Sequence, residues 1–279
     1  MTAKELFLHG VQALRQTACD DAPFECDCLL ESATGIGKSR RLADPMQAVS
    51  ASSKERFLEM LCRRLQGEPL QYILGKWSFY GRDFFVGTGV LIPRPETEQL
   101  VETANAHIVA NSYRAVWDLC AGSGCIGLTV ALENPNTKVY LFEKHTAALR
   151  YLRKNLDALG VKNAEIIEAD IFTFLPQNSA CADLLLSNPP YIPSAELHSL
   201  QAEVQKEPHT ALDGGADGLD FYRAMAKRWL PFVRKGGELL FECGDGQGDA
   251  VAALFSSDTA RQTVLYDFND IDRFVQINV

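Results

Sequence analysis

A glycine-rich segment follows an apolar stretch near the middle of the chain and precedes a stretch with helical spacing. It reads Trp117-Asp118-Leu119-Cys120-Ala121-Gly122-Ser123-Gly124-Cys125-Ile126-Gly127. Glycines in such a turn let the backbone bend tightly and let a ligand approach closely, which a Cβ would block. Gly122, Gly124 and Gly127 fit the spacing G-x-G-x-x-G, and Glu143 follows about twenty residues later. The segment predicts a loop that holds a nucleotide-containing cofactor, with a glycine turn that binds nothing as the alternative.

The acidic residue before the glycines distinguishes between two cofactors. The carboxylate of Asp118 would repel the pyrophosphate of NAD but attract the sulfonium or amino group of S-adenosylmethionine. The N-terminus of the following helix can host the carboxylate of the methionine group. Glu143 is placed to accept hydrogen bonds from the ribose hydroxyls of either cofactor, so it does not discriminate. We therefore expect S-adenosylmethionine and keep an NAD-dependent oxidoreductase as an alternative.

A third acidic residue completes the expected cofactor site. Asp170 and Ile171 follow the strand predicted at 164–168, where Asp170 can accept from an adenine amino group while Ile171 packs against the ring. Asp170 could also cap the following turn, and the two roles are compatible. The expected cofactor-binding residues are Asp118, Cys120, Ala121, Gly122, Ser123, Gly124, Glu143, Asp170, Ile171 and Asn188.

A second motif, Asn188-Pro189-Pro190-Tyr191, follows the apolar stretch 182–187. Its prolines lack N–H groups and bias the preceding residues toward extended backbone, which leaves the carbonyls of Asn188 and Pro189 available to a ligand. The nitrogen of a planar NH2 group is a poor nucleophile because its lone pair is delocalised. Asn188 Oδ1 and the Pro189 carbonyl can accept its two N–H groups and favour its pyramidalisation, beside the ring of Tyr191. We expect the four motif residues to bind and methylate a planar amine or amide.

The elements that must position both motifs alternate between strand and helix beyond Pro95. The predicted strands are 115–120, 138–143, 164–168, 182–187 and 237–243, and the predicted helices are 96–111, 125–133, 146–159, 219–234 and 247–256. This alternation is typical of an α/β fold with a doubly wound, mostly parallel sheet, in which both motifs lie at the carboxyl edge. Segments 262–268 and 273–278 predict an antiparallel edge hairpin.

The N-terminal part of the chain instead has helical spacing. Three helices are expected: one through Leu6 and Leu14, one after Pro23, and one from an N-cap at Ser52-Ser53 to Gly67. Period-two segments at 77–80 and 83–86, separated by Gly81-Arg82, predict a hairpin. The expected domains are a helical bundle at 1–75, a linker hairpin at 76–90 and an α/β domain at 91–279.

Other features limit the function classes. Residues 32–39 resemble a phosphate loop but have Ser32 in place of the first glycine and follow a helix, so we interpret them as a helix C-cap. The eight cysteines have no zinc spacing, so we expect reduced thiols and no metal. The net charge of −9 disfavours stable nucleic-acid binding. Because no apolar run approaches the ~20 residues that a bilayer requires and the N-terminus does not resemble a secretory signal, we expect a cytoplasmic protein without membrane partners.

Four segments together carry a resemblance that covers essentially the whole chain. They are 88–98 (Thr-Gly-Val-Leu-Ile-Pro-Arg-Pro-Glu-Thr-Glu), 118–127, 188–191 and the segment from Glu203 to Arg223. In these segments the sequence resembles the PrmC/HemK family of protein-(glutamine-N5) methyltransferases. The resemblance implies a Rossmann-like class I S-adenosylmethionine-dependent methyltransferase domain behind an N-terminal all-α bundle.

The resemblance also implies a substrate. Members of the family modify the glutamine of the GGQ motif in class 1 peptide chain release factors, so the bundle is expected to help dock the release factor. Arg94 and Glu96, in the segment 88–98, are expected to bind substrate together with the Asn188-Pro189-Pro190-Tyr191 motif.

The sequence departs from the family in two places and leaves alternatives open. Cys120-Ala121 stand where many members have Gly-Thr, and Glu143 replaces the commoner Asp. The four-residue catalytic motif is shared with adenine-N6 DNA methyltransferases. The alternatives are a glutamine methyltransferase of a ribosomal protein, an adenine-N6-type nucleic-acid amino methyltransferase, and a module that binds S-adenosylmethionine without catalysis.

Overall fold

The chain divides into two compact units. A computed structural model describes residues 1–17, 19, 21–176, 181–256 and 260–279. The first unit contains Met1–Lys76 and Ala202–Lys206, and the second contains Trp77–Gln201 and Glu207–Val279. Within the described ranges, no helix combines the length and apolarity needed to cross a membrane.

The first unit is helical. Its α-helices are α1 (Ala3–Leu14), α2 (Ala22–Thr34), α3 (Lys38–Ala43), α4 (Ala51–Leu65) and α5 (Leu70–Leu74). Helices α3 and α5 are not predicted from the sequence, because one or two turns are too short to show a helical period. The predicted N-cap of α4 at Ser52-Ser53 is wrong, since Ser50 is the N-cap and its hydroxyl accepts from the Ser53 N–H at 3.1 Å. Gly35, with φ +73°, caps the C-terminus of α2, which confirms the C-cap interpretation of 32–39.

A buried arginine explains why Ala202–Lys206 belongs to the first unit. Arg64 on α4 is 5% exposed, and its Nε donates to Glu25 on α2 at 2.6 Å. The same guanidinium also pairs with Glu203. Because one buried cation shared by two carboxylates joins distant parts of the chain, the sequence contains no local signal for this association.

A hairpin of β1 (Lys76–Phe79) and β2 (Arg82–Phe85) follows α5, and all of its residues except Lys76 belong to the second unit. Its turn residues are Tyr80 and Gly81, with φ of +50° and +70°. The expectation of a Gly81-Arg82 turn is therefore wrong by one residue. Positive φ at both central residues gives a turn whose twist matches that of the flanking strands, even though Tyr80 is not a residue that usually adopts it.

A seven-stranded sheet forms the centre of the second unit, in the order β5-β4-β3-β6-β7-β9-β8. Its strands are β3 (Ala115–Leu119), β4 (Lys138–Glu143), β5 (Ala164–Glu168), β6 (Ala182–Ser187), β7 (Val233–Glu242), β8 (Arg261–Tyr266) and β9 (Asp272–Asn278). The five strands β3 to β7 are parallel to one another, whereas β9 pairs antiparallel with both β7 and β8. The mostly parallel sheet with an antiparallel edge hairpin is confirmed.

Helices and short 3-10 turns connect these strands. The α-helices are α6 (Thr97–Asn111), α7 (Cys125–Glu133), α8 (Thr146–Leu159), α9 (Asp220–Arg228) and α10 (Gly248–Ala253), and the 3-10 helices are Ser194–Ser199, Val204–Lys206, His209–Ala211 and Leu230–Phe232. The prediction of one helix over 219–234 is wrong, since α9 ends at Arg228 and β7 begins at Val233. Pro231 cannot continue an α-helix because it lacks the N–H group that the helix needs.

Both faces of the sheet are apolar and covered. Leu184 and Leu186 of β6 belong to one buried cluster, and Leu185 between them belongs to another on the opposite face. From β3 the chain continues to β4 on one side of the sheet and later returns to β6 on the other. Such a reversal of strand order opens a crevice at the carboxyl ends of the two central strands, which is where ligands bind in open α/β sheets.

Candidate active site

A pocket lies at the carboxyl ends of the central strands. Ten of the residues expected from the sequence line it: Arg94, Cys120, Ala121, Gly122, Ser123, Glu143, Asp170, Ile171, Asn188 and Pro190. The glycine loop is therefore brought together with Asn188 and Pro190, as the parallel sheet requires. Five expected residues do not line the pocket: Glu96, Asp118, Gly124, Pro189 and Tyr191.

The glycine loop has an unusual backbone at three positions. Cys120, Gly122 and Gly124 have φ of +60°, +56° and +81°. A Cβ on Gly122 would meet no atom closer than the Cys120 carbonyl oxygen at 4.0 Å, whereas a Cβ on Gly124 would lie 2.3 Å from Leu152 Cδ1. Gly122 therefore leaves open space beside the pocket, and Gly124 permits close packing beneath the loop. That open space is a place where a ligand can approach the backbone.

Glu143 at the end of β4 is held by three main-chain donors. Its Oε2 accepts from the Gly122 N–H at 2.9 Å, and its Oε1 accepts from the Lys144 and His145 N–H groups, each at 2.8 Å. An ionised carboxylate has about four acceptor sites, so it can accept further hydrogen bonds from the pocket side. The arrangement presents a fixed anionic acceptor, which fits the ribose hydroxyls of S-adenosylmethionine.

Asp118 lies fully buried beneath the glycine loop. Its Oδ2 accepts from the Gly127 N–H at 2.9 Å, while its Oδ1 finds no hydrogen-bond partner among the described residues. Burial, with a smaller contribution from the Glu143 charge, raises the pKa of Asp118 to about 7 against the lowering effect of the Gly127 N–H. A buried, unpartnered carboxylate oxygen fits a nearby cationic group, but the side chain supports the loop from below and does not face the pocket directly.

Asp170 and Ile171 follow β5, and both line the pocket. The Oδ1 of Asp170 accepts from the Phe172 N–H at 2.9 Å, and its Oδ2 accepts from Lys144 Nζ at 3.3 Å. The turn-capping role is therefore present, and the carboxylate remains at the pocket wall. Phe221 also lines the pocket and packs edge-on against Phe172 at a centroid distance of 4.9 Å. Sequence reasoning missed this aromatic pair.

Asn188 directly follows β6 on the other side of the crevice. The Ser187 hydroxyl before it donates to the Leu119 carbonyl at 2.6 Å, which joins the ends of β6 and β3. Asn188 Nδ2 donates to Thr97 Oγ1 at 3.3 Å. Pro189 and Pro190 are buried, so the backbone on which the predicted carbonyl acceptors sit is firmly packed.

Tyr191 does not form the expected aromatic wall of the pocket. Its side chain packs against the apolar cluster on one face of the sheet, and its carbonyl accepts from Gln247 Nε2 at 3.0 Å. Burial raises the pKa of Tyr191 to about 12, and the Glu242 charge contributes to the rise. The ring therefore anchors the motif to the core.

The segment 88–98 is fastened to a later part of the second unit. Glu207, which is 4% exposed, pairs with the Arg94 guanidinium and accepts from the Ile92 N–H at 2.9 Å. Arg94 lines the pocket, whereas Glu96 is exposed immediately before α6. The structure thus brings Arg94 to the pocket and leaves Glu96 outside it.

Thr97 and Glu242 form a buried pair that sequence reasoning missed. Both are 2% exposed, and Thr97 Oγ1 donates to Glu242 Oε2 at 2.7 Å. Burial raises the pKa of Glu242 to about 7, against the hydrogen bond from Thr97 and the charge of Arg273. The available signal was an acidic residue at the end of the apolar strand Leu239-Leu240-Phe241, where a buried charge needs a reason.

The described residues contain no group of three or more His, Cys, Asp or Glu side chains arranged to hold a metal ion. The eight cysteines are all free thiols. The pocket instead offers carboxylates, main-chain groups and an amide, which suit an organic cofactor with hydroxyl and amino groups.

Two segments of the chain match known protein families. Residues 5–75 match the PrmC N-terminal domain, and residues 96–215 match the methyltransferase small domain. The chain is 36% identical to a release factor glutamine methyltransferase of Geobacter sulfurreducens, over 94% of this chain and 91% of that protein. It is 38% identical to a protein of the same name from Cereibacter sphaeroides, over 99% of this chain and 98% of that protein.

A solved structure supports the fold. A methyltransferase from Pyrococcus furiosus superposes with a TM-score of 0.51 at 12% identity, covering 72% of this chain and 90% of that one. Together with the parallel sheet and its antiparallel edge, this likeness shows a Rossmann-like class I methyltransferase fold, here accompanied by N-terminal helices.

Proposed function

Because the chain belongs to the family of release factor glutamine methyltransferases, we propose that it methylates the side-chain amide nitrogen of the GGQ glutamine in class 1 peptide chain release factors. The enzyme is a methyltransferase, and its cofactor is S-adenosylmethionine. The proposal rests on the position of Asn188, which lines the same pocket as the glycine loop and Glu143.

The cofactor side of the pocket has the groups that S-adenosylmethionine needs. When bound, this cofactor supplies an electrophilic methyl group on a sulfonium that leaves readily. Glu143 would hold the ribose hydroxyls, Asp170 and Ile171 the adenine, and the Cys120–Gly124 backbone the methionine portion. Asp118 supports that backbone from below through the Gly127 N–H.

The acceptor side of the pocket, which contains Asn188 and Arg94, holds and aligns the amide that accepts the methyl group. Asn188 Oδ1 accepts one N–H of the glutamine side chain. The other N–H needs an acceptor from the adjoining motif backbone, where the Pro189 carbonyl is the expected acceptor although Pro189 itself does not line the pocket. These contacts strengthen as the nitrogen pyramidalises, so they stabilise the transition state more than the bound substrate. Arg94, held by Glu207, supplies a cation at the pocket wall that can donate to carbonyl groups of the substrate backbone.

The two parts of the chain have different roles in this proposal. Residues 1–75 dock the release factor, residues 76–90 form the linker, and residues 91–279 hold the cofactor and the target glutamine. Support for docking comes from apolar side chains that are exposed on the first unit, among them Leu8, Phe24, Leu42 and Met46. The net charge of −9 argues against a nucleic-acid substrate, and the named relatives favour a release factor over a ribosomal protein.

Mass spectrometry of a purified release factor tests the activity. After incubation with the enzyme and S-adenosylmethionine, the peptide that contains the GGQ glutamine should gain the mass of one methyl group. A release factor with that glutamine replaced by glutamate is the matched control and should gain nothing. Methylation of a ribosomal protein but not of the release factor would overturn the assignment.

Charged substitutions on the first unit test the docking role. Phe24→Asp and Leu42→Asp should raise KM for a whole release factor while leaving KM for a short GGQ peptide unchanged, because the peptide lacks the rest of the release-factor surface that would dock on the first unit. Val109→Asp, at an exposed position in the second unit, is the control. Equal effects on both substrates would show that the first unit does not dock the release factor.

A further inference from the structure

A buried carboxylate lies behind the amide of Asn188. Glu242 ends β7, Thr97 begins α6, and Asn188 follows β6, so three separate elements bring these side chains together. Thr97 Oγ1 lies 2.7 Å from Glu242 Oε2 and 3.3 Å from Asn188 Nδ2. The Asn188 side chain also contributes a hydrogen bond that lowers the pKa of Glu242. The three polar groups form one connected network.

The direction of each hydrogen bond follows from the chemistry of its end group. Above about pH 7, where Glu242 is ionised, its carboxylate can only accept, so Thr97 must donate its single hydroxyl proton to Glu242. The Thr97 oxygen is then left to accept, and the only donor on the Asn188 side chain is its NH2 group. The network therefore holds Nδ2 toward Thr97 and Glu242, and Oδ1 points away from them.

We propose that Glu242, acting through Thr97, is a positioning residue that fixes the orientation of the Asn188 amide so that its oxygen faces the methyl acceptor. This inference rests on the proposed function, in which Asn188 Oδ1 accepts an N–H of the target glutamine. If the Asn188 amide were rotated by 180°, it would present its own NH2 group to the NH2 group of the glutamine, and neither group could accept a hydrogen bond.

The burial of Glu242 supports this role. Glu242 is only 2% exposed, and burying an ionised carboxylate costs free energy because the charge loses its hydration. Burial therefore raises the pKa of Glu242 to about 7, although Thr97, Asn188 and Arg273 favour the charged form. The nearby charge of Glu96 contributes to this rise. Packing alone would be served as well by a neutral side chain, whereas the ionised form of Glu242 fixes the direction of the Thr97 hydroxyl because it only accepts.

Substitutions in the network separate orientation from general packing. Thr97→Val keeps the shape but removes the hydroxyl, and Glu242→Gln adds a donor that can reverse the hydrogen bonds. Both should lower kcat by about 10- to 100-fold for a GGQ peptide, with the calorimetric Kd for S-adenosylmethionine unchanged. Thr97→Ser, which restores the hydroxyl, should recover most of the kcat that Thr97→Val loses. Wild-type kcat in Thr97→Val would overturn the inference.

A double-mutant cycle with Asn188 gives a readout that a structural role would not produce. In an Asn188→Ala background there is no amide to orient, so Thr97→Val should cause no further loss of kcat. Equal losses in both backgrounds would show that Thr97 acts only on packing and would overturn the inference. The cycle needs only Thr97 variants, so it stands if Glu242→Gln fails to fold.

Failure of this inference is distinguishable from failure of the proposed function. If Asn188→Ala methylates at the wild-type rate, the catalytic assignment itself is wrong. If Asn188→Ala is inactive while Thr97→Val and Glu242→Gln are fully active, Asn188 remains catalytic and only its positioning by Thr97 and Glu242 is refuted.

Discussion

The two sides of the pocket are built in different ways. On the cofactor side, Glu143 is held by the N–H groups of Gly122, 21 residues away, and of its immediate successors in sequence. On the acceptor side, Asn188 contacts Thr97 across 91 residues, and Thr97 contacts Glu242 across 145. The first side depends on main-chain donors within one βαβ unit, whereas the second depends on side chains from distant segments.

This difference predicts how each side responds to substitution. Main-chain donors persist when a neighbouring side chain changes, so the cofactor side should lose affinity mainly through the residues that contact the ligand. Side-chain contacts disappear with the side chain, so the acceptor side should lose rate even through residues that never touch substrate. Substitutions on the cofactor side should therefore raise Kd for the cofactor, and substitutions on the acceptor side should lower kcat.

Asn188→Ala is expected to have the largest effect. Loss of one preorganised acceptor in the transition state costs on the order of 100- to 1,000-fold in kcat. We expect the cofactor Kd to change little, because Glu143, Asp170 and the glycine loop are the proposed cofactor contacts. Single-turnover kinetics and titration calorimetry measure the two quantities separately. Asn136→Ala, at an exposed position, is the matched control. A near wild-type rate in Asn188→Ala at saturating cofactor would contradict the mechanism.

Glu143→Ala should act on the cofactor side. The ribose hydroxyls lose a charged acceptor, a contact of about 1.5–3 kcal/mol, so the calorimetric Kd should rise roughly 10- to 150-fold. Glu143→Gln, which keeps the shape and one acceptor oxygen, should show a smaller rise. Glu165→Ala, on the exposed part of β5, serves as the control. Unchanged affinity in Glu143→Ala would remove this residue from the site.

Two glycines of the same loop should respond differently to alanine. Gly122→Ala places a methyl group in open space beside the pocket, so it should weaken cofactor binding by about 5- to 10-fold with a strain cost of only about 1–2 kcal/mol. Gly124→Ala places a methyl group against Leu152 and should lower Tm more than Gly122→Ala does. Calorimetry and thermal unfolding distinguish the two, and the reverse order of Tm would contradict these roles.

The last expected effect is on the pH dependence of stability. Burial raises the pKa of Glu242 from 4.5 to about 7, so the folded protein binds this proton more tightly than the unfolded chain. Its contribution to stability is complete below about pH 4.5 and is lost as the pH rises through about 7. As the pH rises through this window, the free energy of unfolding of Glu242→Gln should therefore increase relative to that of the wild type, by at most about 1.4 kcal/mol per pH unit.

Urea unfolding at several pH values across that window measures this gain. Asp217→Asn is the control, because the hydrogen bond from Arg223 lowers the pKa of Asp217 to about 2, so its titration falls below the window. A difference between Glu242→Gln and the wild type that does not vary with pH would show that Glu242 does not titrate there.

The regular elements of the second unit were largely predictable, and the exceptions have physical reasons. Strand β6 matches its prediction at 182–187 because a buried parallel strand is a short, continuous apolar run between turn signals. Helix α9 was predicted too long because the apolar spacing continues past Arg228, although Pro231 ends the helical hydrogen bonding. In the first unit, α3 and α5 were missed because so few residues cannot display a period.

The sequence by itself determined the glycine loop, Glu143, Asp170 and the Asn188 motif, because each is a local pattern and parallel strands bring their carboxyl ends to one edge. Only the tertiary structure decided that Thr97 and Glu242 lie behind Asn188, that Glu207 holds Arg94, and that Tyr191 faces the core. These contacts join side chains from elements far apart in sequence. Their geometry depends on sheet order and on which face each side chain occupies, and no local spacing encodes either.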